Sequence, residues 1–229
     1  RFDPTQGEVT QRFLHQGEEP LSIFSIIREP GASQLWLATS AGVLKFDPVS
    51  GETNTYFTLP DNISYRTSFR LARDLNGQLW IATRGGLFQL DPVSGEVIHY
   101  TAQPDVPGAL STNDLTSVIS DRHNNIWIGT DKQGAYRRDP DTGAFTHYPA
   151  SAYDEYRLPP AGITSIYEDD QGSIWFACGQ HGVYHINEHL QKFHSFRHSF
   201  DTDNSLGFNL VSGMFEDSSG DIWIGTDGN

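Results

Sequence analysis

The chain has one cysteine and one methionine among 229 residues. A lone thiol, Cys178, excludes an intramolecular disulfide, so this is not a disulfide-stapled scaffold, although it remains compatible with the periplasm. Cations are scarce: 15 Lys and Arg stand against 29 Asp and Glu, for a net charge of −14. Nothing here neutralises phosphates, which argues against nucleic acid and anionic membrane surfaces as partners. No apolar stretch approaches the ~20 residues of a membrane span, and no signal peptide is visible. Apolar spacing of three and four, sustained over ten or more residues, is also missing, which excludes helical repeats. The first residue is Arg1 rather than an initiator methionine, as expected of a processed or excised piece.

Repetition is what the sequence has. LWLATSAGVLKFDPVSG at 35–51 returns as LWIATRGGLFQLDPVSG at 79–95, then as IWIGTDKQGAYRRDPDTG at 126–143 and IWFACGQHGVYHIN at 174–187. IWIGTDG at 222–228 begins it once more. The five tryptophans, Trp36, Trp80, Trp127, Trp175 and Trp223, are spaced by 44, 47, 48 and 48 residues. Each unit holds an apolar run, an Asp turn such as Asp74–Gly77, and a Trp run apolar on nearly every residue. A Gly turn, a third run, an Asp-Pro-x-Ser/Thr-Gly turn and an alternating fourth run complete it. Runs without alternation predict strands covered on both faces, and the turn residues supply positive φ and side-chain caps. Four short strands per repeat predict an all-β propeller of four-stranded antiparallel blades. The indoles are expected to be inter-blade core, each contributing roughly 2–3 kcal/mol on burial. Cys178, where sister repeats carry Thr83 or Thr130, is expected to be a small buried residue.

About five blade equivalents are expected in a single domain spanning 1–229. Whole units run from about Leu21 to Phe57, Ser68 to Thr101, Asp114 to Tyr148 and Gly162 to Phe196. Residues 1–13 read as third and fourth strands, and Asn209 to Asn229 as first and second. These halves fit either a ring closed through one blade shared by both termini or an arc of a larger ring. The variable links 58–67, 102–113, 149–161 and 197–208 fall on the rim of the Gly turns, and binding favours such loops. A ligand is therefore expected near Arg66, Asn113 and Asn209 at first-strand starts, and near Arg84, Lys132, Gln133, Gln180 and His181 in Gly turns. Recurrence of Asn113 and Asn209 fourteen residues before Trp also fits a turn cap. Tyr153, Tyr156 and Arg157 form a secondary candidate.

No catalytic residues, cofactor or metal set emerge. Gly-x-Ser-x-Gly is absent, and Asp74, Asp121, Asp169 and Asp217 fall in turns of different blades rather than as a paired acid and nucleophile. His181, His185 and His189, four apart, would share a helix face, but the repeat puts them in a turn, a strand and a turn.

The sequence resembles the two-component regulator propeller repeat. The resemblance rests on Asn204-Ser205-Leu206-Gly-Phe-Asn209-Leu-Val211-Ser212 followed by Glu216-Asp217-Ser-Ser-Gly220-Asp-Ile222-Trp223-Ile-Gly-Thr226, on its counterpart at 110–130, and on Asp-Pro-x-Ser-Gly in the first two units. Arg122-His-Asn-Asn125 departs by lacking the turn Gly, and Asn187-Glu-His-Leu-Gln191 by lacking Asp-Pro-Gly. The resemblance implies the periplasmic sensor portion of a hybrid histidine kinase or a related signalling protein such as a diguanylate cyclase. The ligand implied is a small molecule or a carbohydrate fragment, and the signal would leave through a membrane helix in the remainder of a larger sensor protein. Rings of this family commonly hold seven blades. A non-enzymatic sensor is the first expectation, with no membrane insertion by this segment and a homodimer as a further partner state. The rival is a protein-interaction scaffold, and a glycosidase- or lyase-like propeller enzyme ranks last.

Overall fold

The computed structural model describes residues 2–3, 5, 8–9, 21–60, 69–187, 192–202 and 204–228. Among the described residues twenty β-strands are formed and no helix occurs. All pairings are antiparallel, in four sheets of four strands and two of two strands. The chain divides into two compact units, Arg1–Thr58 and Leu59–Asn229.

The first unit holds the short hairpin β1 (Phe2–Asp3) with β2 (Glu8–Val9), and one blade. That blade is ordered β3 (Ile23–Arg28), β4 (Leu35–Thr39), β5 (Gly42–Phe46), β6 (Thr53–Phe57). Trp36 on β4 is 1% exposed, lies edge-on to Tyr56 at 4.7 Å, and donates its indole N–H to Glu29. The Lys45 ammonium sits 5.0 Å from the same ring.

The second unit carries three complete blades and a half. The first comprises β7 (Phe69–Arg73), β8 (Leu79–Thr83), β9 (Gly86–Leu90) and β10 (Val97–Tyr100). The next comprises β11 (Leu115–Ser120), β12 (Ile126–Thr130), β13 (Gly134–Arg138) and β14 (Phe145–Pro149). The third comprises β15 (Ile163–Glu168), β16 (Ile174–Cys178), β17 (Gly182–Asn187) and β18 (Lys192–Phe196). The pair β19 (Val211–Glu216) and β20 (Ile222–Thr226) closes the order. First strands of successive blades face one another: β7 with β11, β11 with β15, β15 with β19.

The core lies between blades. Trp80 packs in one apolar cluster with Leu115, Ile128, Tyr136 and Phe145 of the following blade. Trp127 packs likewise with Ile163, Phe176 and Phe193. Trp80 and Trp127 are each 1% exposed, and Trp175 is half-buried. Trp223 differs at 64% exposed. Its sheet has two strands among the described residues, without the fourth-strand aromatic that covers the ring in the complete blades of this unit. In the complete blades that aromatic is present as Tyr100, Tyr148 or Phe196, stacked or tilted 5.3–5.9 Å from its Trp.

One carboxylate organises each Asp turn. Asp121 Oδ1 accepts from the backbone N–H of His123 and Asn125, while Oδ2 accepts the Trp127 indole N–H at 2.8 Å. Asp74, Asp169 and Asp217 repeat this with Trp80, Trp175 and Trp223. A buried indole N–H needs such a partner. The turn Gly has φ 89° at Gly77 and 85° at Gly172 and Gly220. Where the repeat lacks that Gly, Asn124 takes φ 64°, a conformation Asn tolerates better than most residues. Its Oδ1 also accepts the Leu75 N–H of the preceding blade at 2.8 Å, a bond glycine cannot make.

Candidate functional site

Up-and-down connectivity brings each Gly turn against the start of the next first strand. Gly86 N–H donates to Asn113 O at 3.1 Å, and Gly182 N–H to Asn209 O at 2.9 Å. Thr83 and Thr130 tighten their turns by donating to Gly86 O and Gly134 O. Cys178 takes that position in the third blade and is fully buried, with its thiol pKa pushed up by desolvation.

The expected rim residues fall into separate groups. Arg84 and Asn113 stand together: the Arg84 guanidinium is 3.9 Å from Asp114, and its Nε is enclosed without a hydrogen bond. Asn113 Oδ1 accepts the Ala102 N–H at 2.6 Å, which ties the link to the first strand. Asn209 Oδ1 holds the His198 N–H in the same way at 2.7 Å. Lys132 and Gln133 are exposed in the next Gly turn, where Gln133 Oε1 accepts from Ser111 Oγ at 3.0 Å. Gln180 is exposed with φ 58°, and His181 Nδ1 lies 2.9 Å from Gly179 O. Arg66 lies outside the described residues, as does His189. Each group thus offers a cation or an amide beside backbone polar groups already engaged within the turn.

A concavity sits on the third blade of the second unit. It is a cleft of ≈ 530 Å³ lined by Tyr156 and Glu155 of the link and by His185, His194, Ser195 and Phe196 of β17 and β18. Of the secondary candidates, Tyr156 reaches it, while Tyr153 is fully exposed and Arg157 pairs with Asp154 at 3.1 Å. The Lys192 ammonium lies 5.0 Å from the Tyr156 ring, and Phe193 N–H donates to Tyr156 O, so the link is fastened along the outer strand. Burial lowers the pKa of His185, opposed by the Asp169 charge and aided by His194. His194 and Phe196 went unnoticed in the sequence. The signal lay in hairpin register, since the third-strand residue that pairs with the Trp strand's indole position has its fourth-strand partner nine residues on in every complete blade, as in His185 with His194.

Among the described residues, no helix is long and apolar enough to cross a membrane. The family description "Two component regulator propeller" matches residues 157–180 and 205–228. No curated protein matches the chain. Among solved structures, it is similar to the extracellular domain of a hybrid two-component system from B. thetaiotaomicron, with TM-score 0.72 and 19% identity over 93% of this chain and 27% of that one. A second such domain from the same organism gives TM-score 0.69 and 26% identity over 89% of this chain and 27% of that one. The chain therefore spans about a quarter of the length of these relatives. Virginiamycin B lyase from Staphylococcus aureus, at TM-score 0.62 and 14% identity over 88% of this chain and 62% of that one, shares the fold. The fold is the β-propeller, and the repeats at 157–180 and 205–228 are those of the two-component regulator propeller.

Proposed function

We propose that this chain is a ligand-sensing, non-enzymatic part of an extracytoplasmic, periplasmic propeller belonging to a larger bacterial signalling protein. The observation that carries this reading is the regulator-propeller match, joined to 26% identity with an extracellular domain of a hybrid two-component system. The ligand is a small molecule or glycan fragment held on the link rim. Arg84, with a part-exposed guanidinium, and Lys132 are its cationic contacts; Gln133, Gln180 and His181 supply adaptable polar groups. Asn113 and Asn209 act there through their carbonyl oxygens, which fix the links.

The test is thermal unfolding against glycans and small anions. Stabilisation by one ligand class, growing with concentration, supports sensing. Replacing Arg84 and His181 together should abolish that shift; a double variant with an undiminished shift overturns the rim assignment. The scaffold reading is favoured by the acidic chain and by exposed Tyr153, Phe200 and Phe215. Dimers that persist without ligand in light scattering, together with no ligand shift, would establish it over sensing.

A further inference from the structure

Seven histidines lie among the described residues, and four are pinned through a ring nitrogen to a backbone carbonyl. His99 Nε2 lies 2.8 Å from Gly85 O and His147 Nε2 lies 2.8 Å from Gln133 O. His181 Nδ1 is 2.9 Å from Gly179 O, and His198 Nδ1 is 2.7 Å from Leu206 O. Of the other three, His123 stands alone in an Asp turn, and His185 and His194 form a pair. No hydrogen bond holds either ring among the described residues, and they face each other directly as ladder partners across β17 and β18. Their ring centroids are 6.1 Å apart with planes inclined by 32°, and both line the cleft, as does Glu155.

The fold does not require imidazoles at these positions. The corresponding ladder pairs in the sister blades are Lys45 with Asn54, Gln89 with Ile98, and Arg137 with Thr146. The sister pairs share no residue with one another, and in the third blade of the second unit both members are the same metal-ligating side chain, with His185 also lying 4.8 Å from the Trp175 ring. A metal–imidazole bond of about 2.1 Å places a bound ion roughly 3 Å from each ring centroid. Two such radii span the observed separation with only small side-chain adjustment. A net charge of −14 raises the local concentration of cations.

We propose that His185 and His194 form a two-imidazole binding site for a borderline divalent transition metal, with Cu²⁺ bound more tightly than Ni²⁺ or Zn²⁺. Among the described residues, no third His, Cys, Asp or Glu completes a ligand group with them. Water therefore fills the remaining positions, and the ion stays open to an exogenous ligand in the cleft. The two imidazoles stand on β17 and β18 rather than in the Gly turns, although Glu155 and Tyr156 of the 149–161 link line the same cleft, and the site does not depend on the sensing reading.

The experiment titrates the metal-free 229-residue chain with Cu²⁺ and with Ni²⁺ by calorimetry at neutral pH, and records the electron paramagnetic resonance of the Cu²⁺ complex. One saturable site with nitrogen superhyperfine splitting is expected. His185→Gln and His194→Asn, each installing the residue a sister blade carries, should weaken Cu²⁺ at least about tenfold. His99→Gln should leave it unchanged. Thermal unfolding establishes that each variant is folded. Wild-type affinity in folded His194→Asn, or no saturable site in the parent chain, overturns the proposal.

Discussion

The Asp turn shows how much one side chain can fix. Asp121 is 3% exposed and serves two backbone N–H groups, the Asn125 amide and the Trp127 indole. Removing it leaves several enclosed donors unpaired, so Asp121→Ala should cost ~3 kcal/mol in urea unfolding, whereas Asp217→Ala, on an exposed turn, should cost much less. Acid acts on the same class of group. Asp47, Asp91 and Asp139 have pKa values lowered from 3.8 chiefly by the backbone N–H groups of Val49, Val93 and Thr142, and Asp217 chiefly by the Trp223 indole. A depressed folded pKa contributes stability that is present above the ordinary value and lost as pH falls through the folded one. The urea midpoint should therefore drop as pH goes from about 5 to about 2, and a midpoint that rises over that window would contradict this sign. Tyr167, pushed up to about 12 by burial and by its bond to Glu216, stays neutral throughout the physiological range. These residue roles were half legible: the repeat of Asp and Trp six apart is visible, but Glu29 replacing Asp, seven before Trp36, is visible only through its bond.

Elements add ties that residue type alone does not announce. The first strand carries a bulge at the same point in four sheets, between Ile23 and Ser25, Leu115 and Ser117, Ile163 and Ser165, and Val211 and Gly213. The extra residue turns its side chain out of the ladder. Thr116 Oγ1 thereby donates to Ile163 O at 2.8 Å, and Thr164 Oγ1 to Val211 O at 3.2 Å, each joining one blade to the next. Thr116→Val should cost ~1 kcal/mol, with faster amide exchange in β15 as the second readout. Strand runs and turns were plain in the sequence because period and turn chemistry are local. The bulge was not, because Thr116 and Thr164 look like ordinary strand residues. The His185–His194 pairing was not legible either: the repeat register sets aside the spacing of four among His181, His185 and His189, and the ladder gives His185 a partner nine residues on.

At the scale of the whole molecule, the reading of 1–229 as one propeller domain is our proposal. If it holds, calorimetry shows one unfolding transition with calorimetric and van't Hoff enthalpies in agreement; two separable transitions would divide the chain instead. The same scale governs the ligand rim. Arg84 and Asn113 are joined by the meeting of two blades, as are the Gly182 turn and Asn209, whereas Lys132 and Gln133 belong to another meeting point. Sequence spacing could place all of them on one rim and could not say which are neighbours.

By itself, the sequence determined the strand count per repeat, the turns, the class of fold and the family of the repeats. The strand count, turns and class of fold follow from periodicity, glycine and proline chemistry and short-range caps, all encoded within a few residues, whereas the family rests on a motif resemblance matched at 157–180 and 205–228. Only the tertiary structure decided that Trp223 is exposed while Trp80 is sealed, and that two imidazoles confront each other above a cleft. Burial and cross-strand proximity are set by what another strand lays against a residue, and that strand is specified elsewhere in the chain.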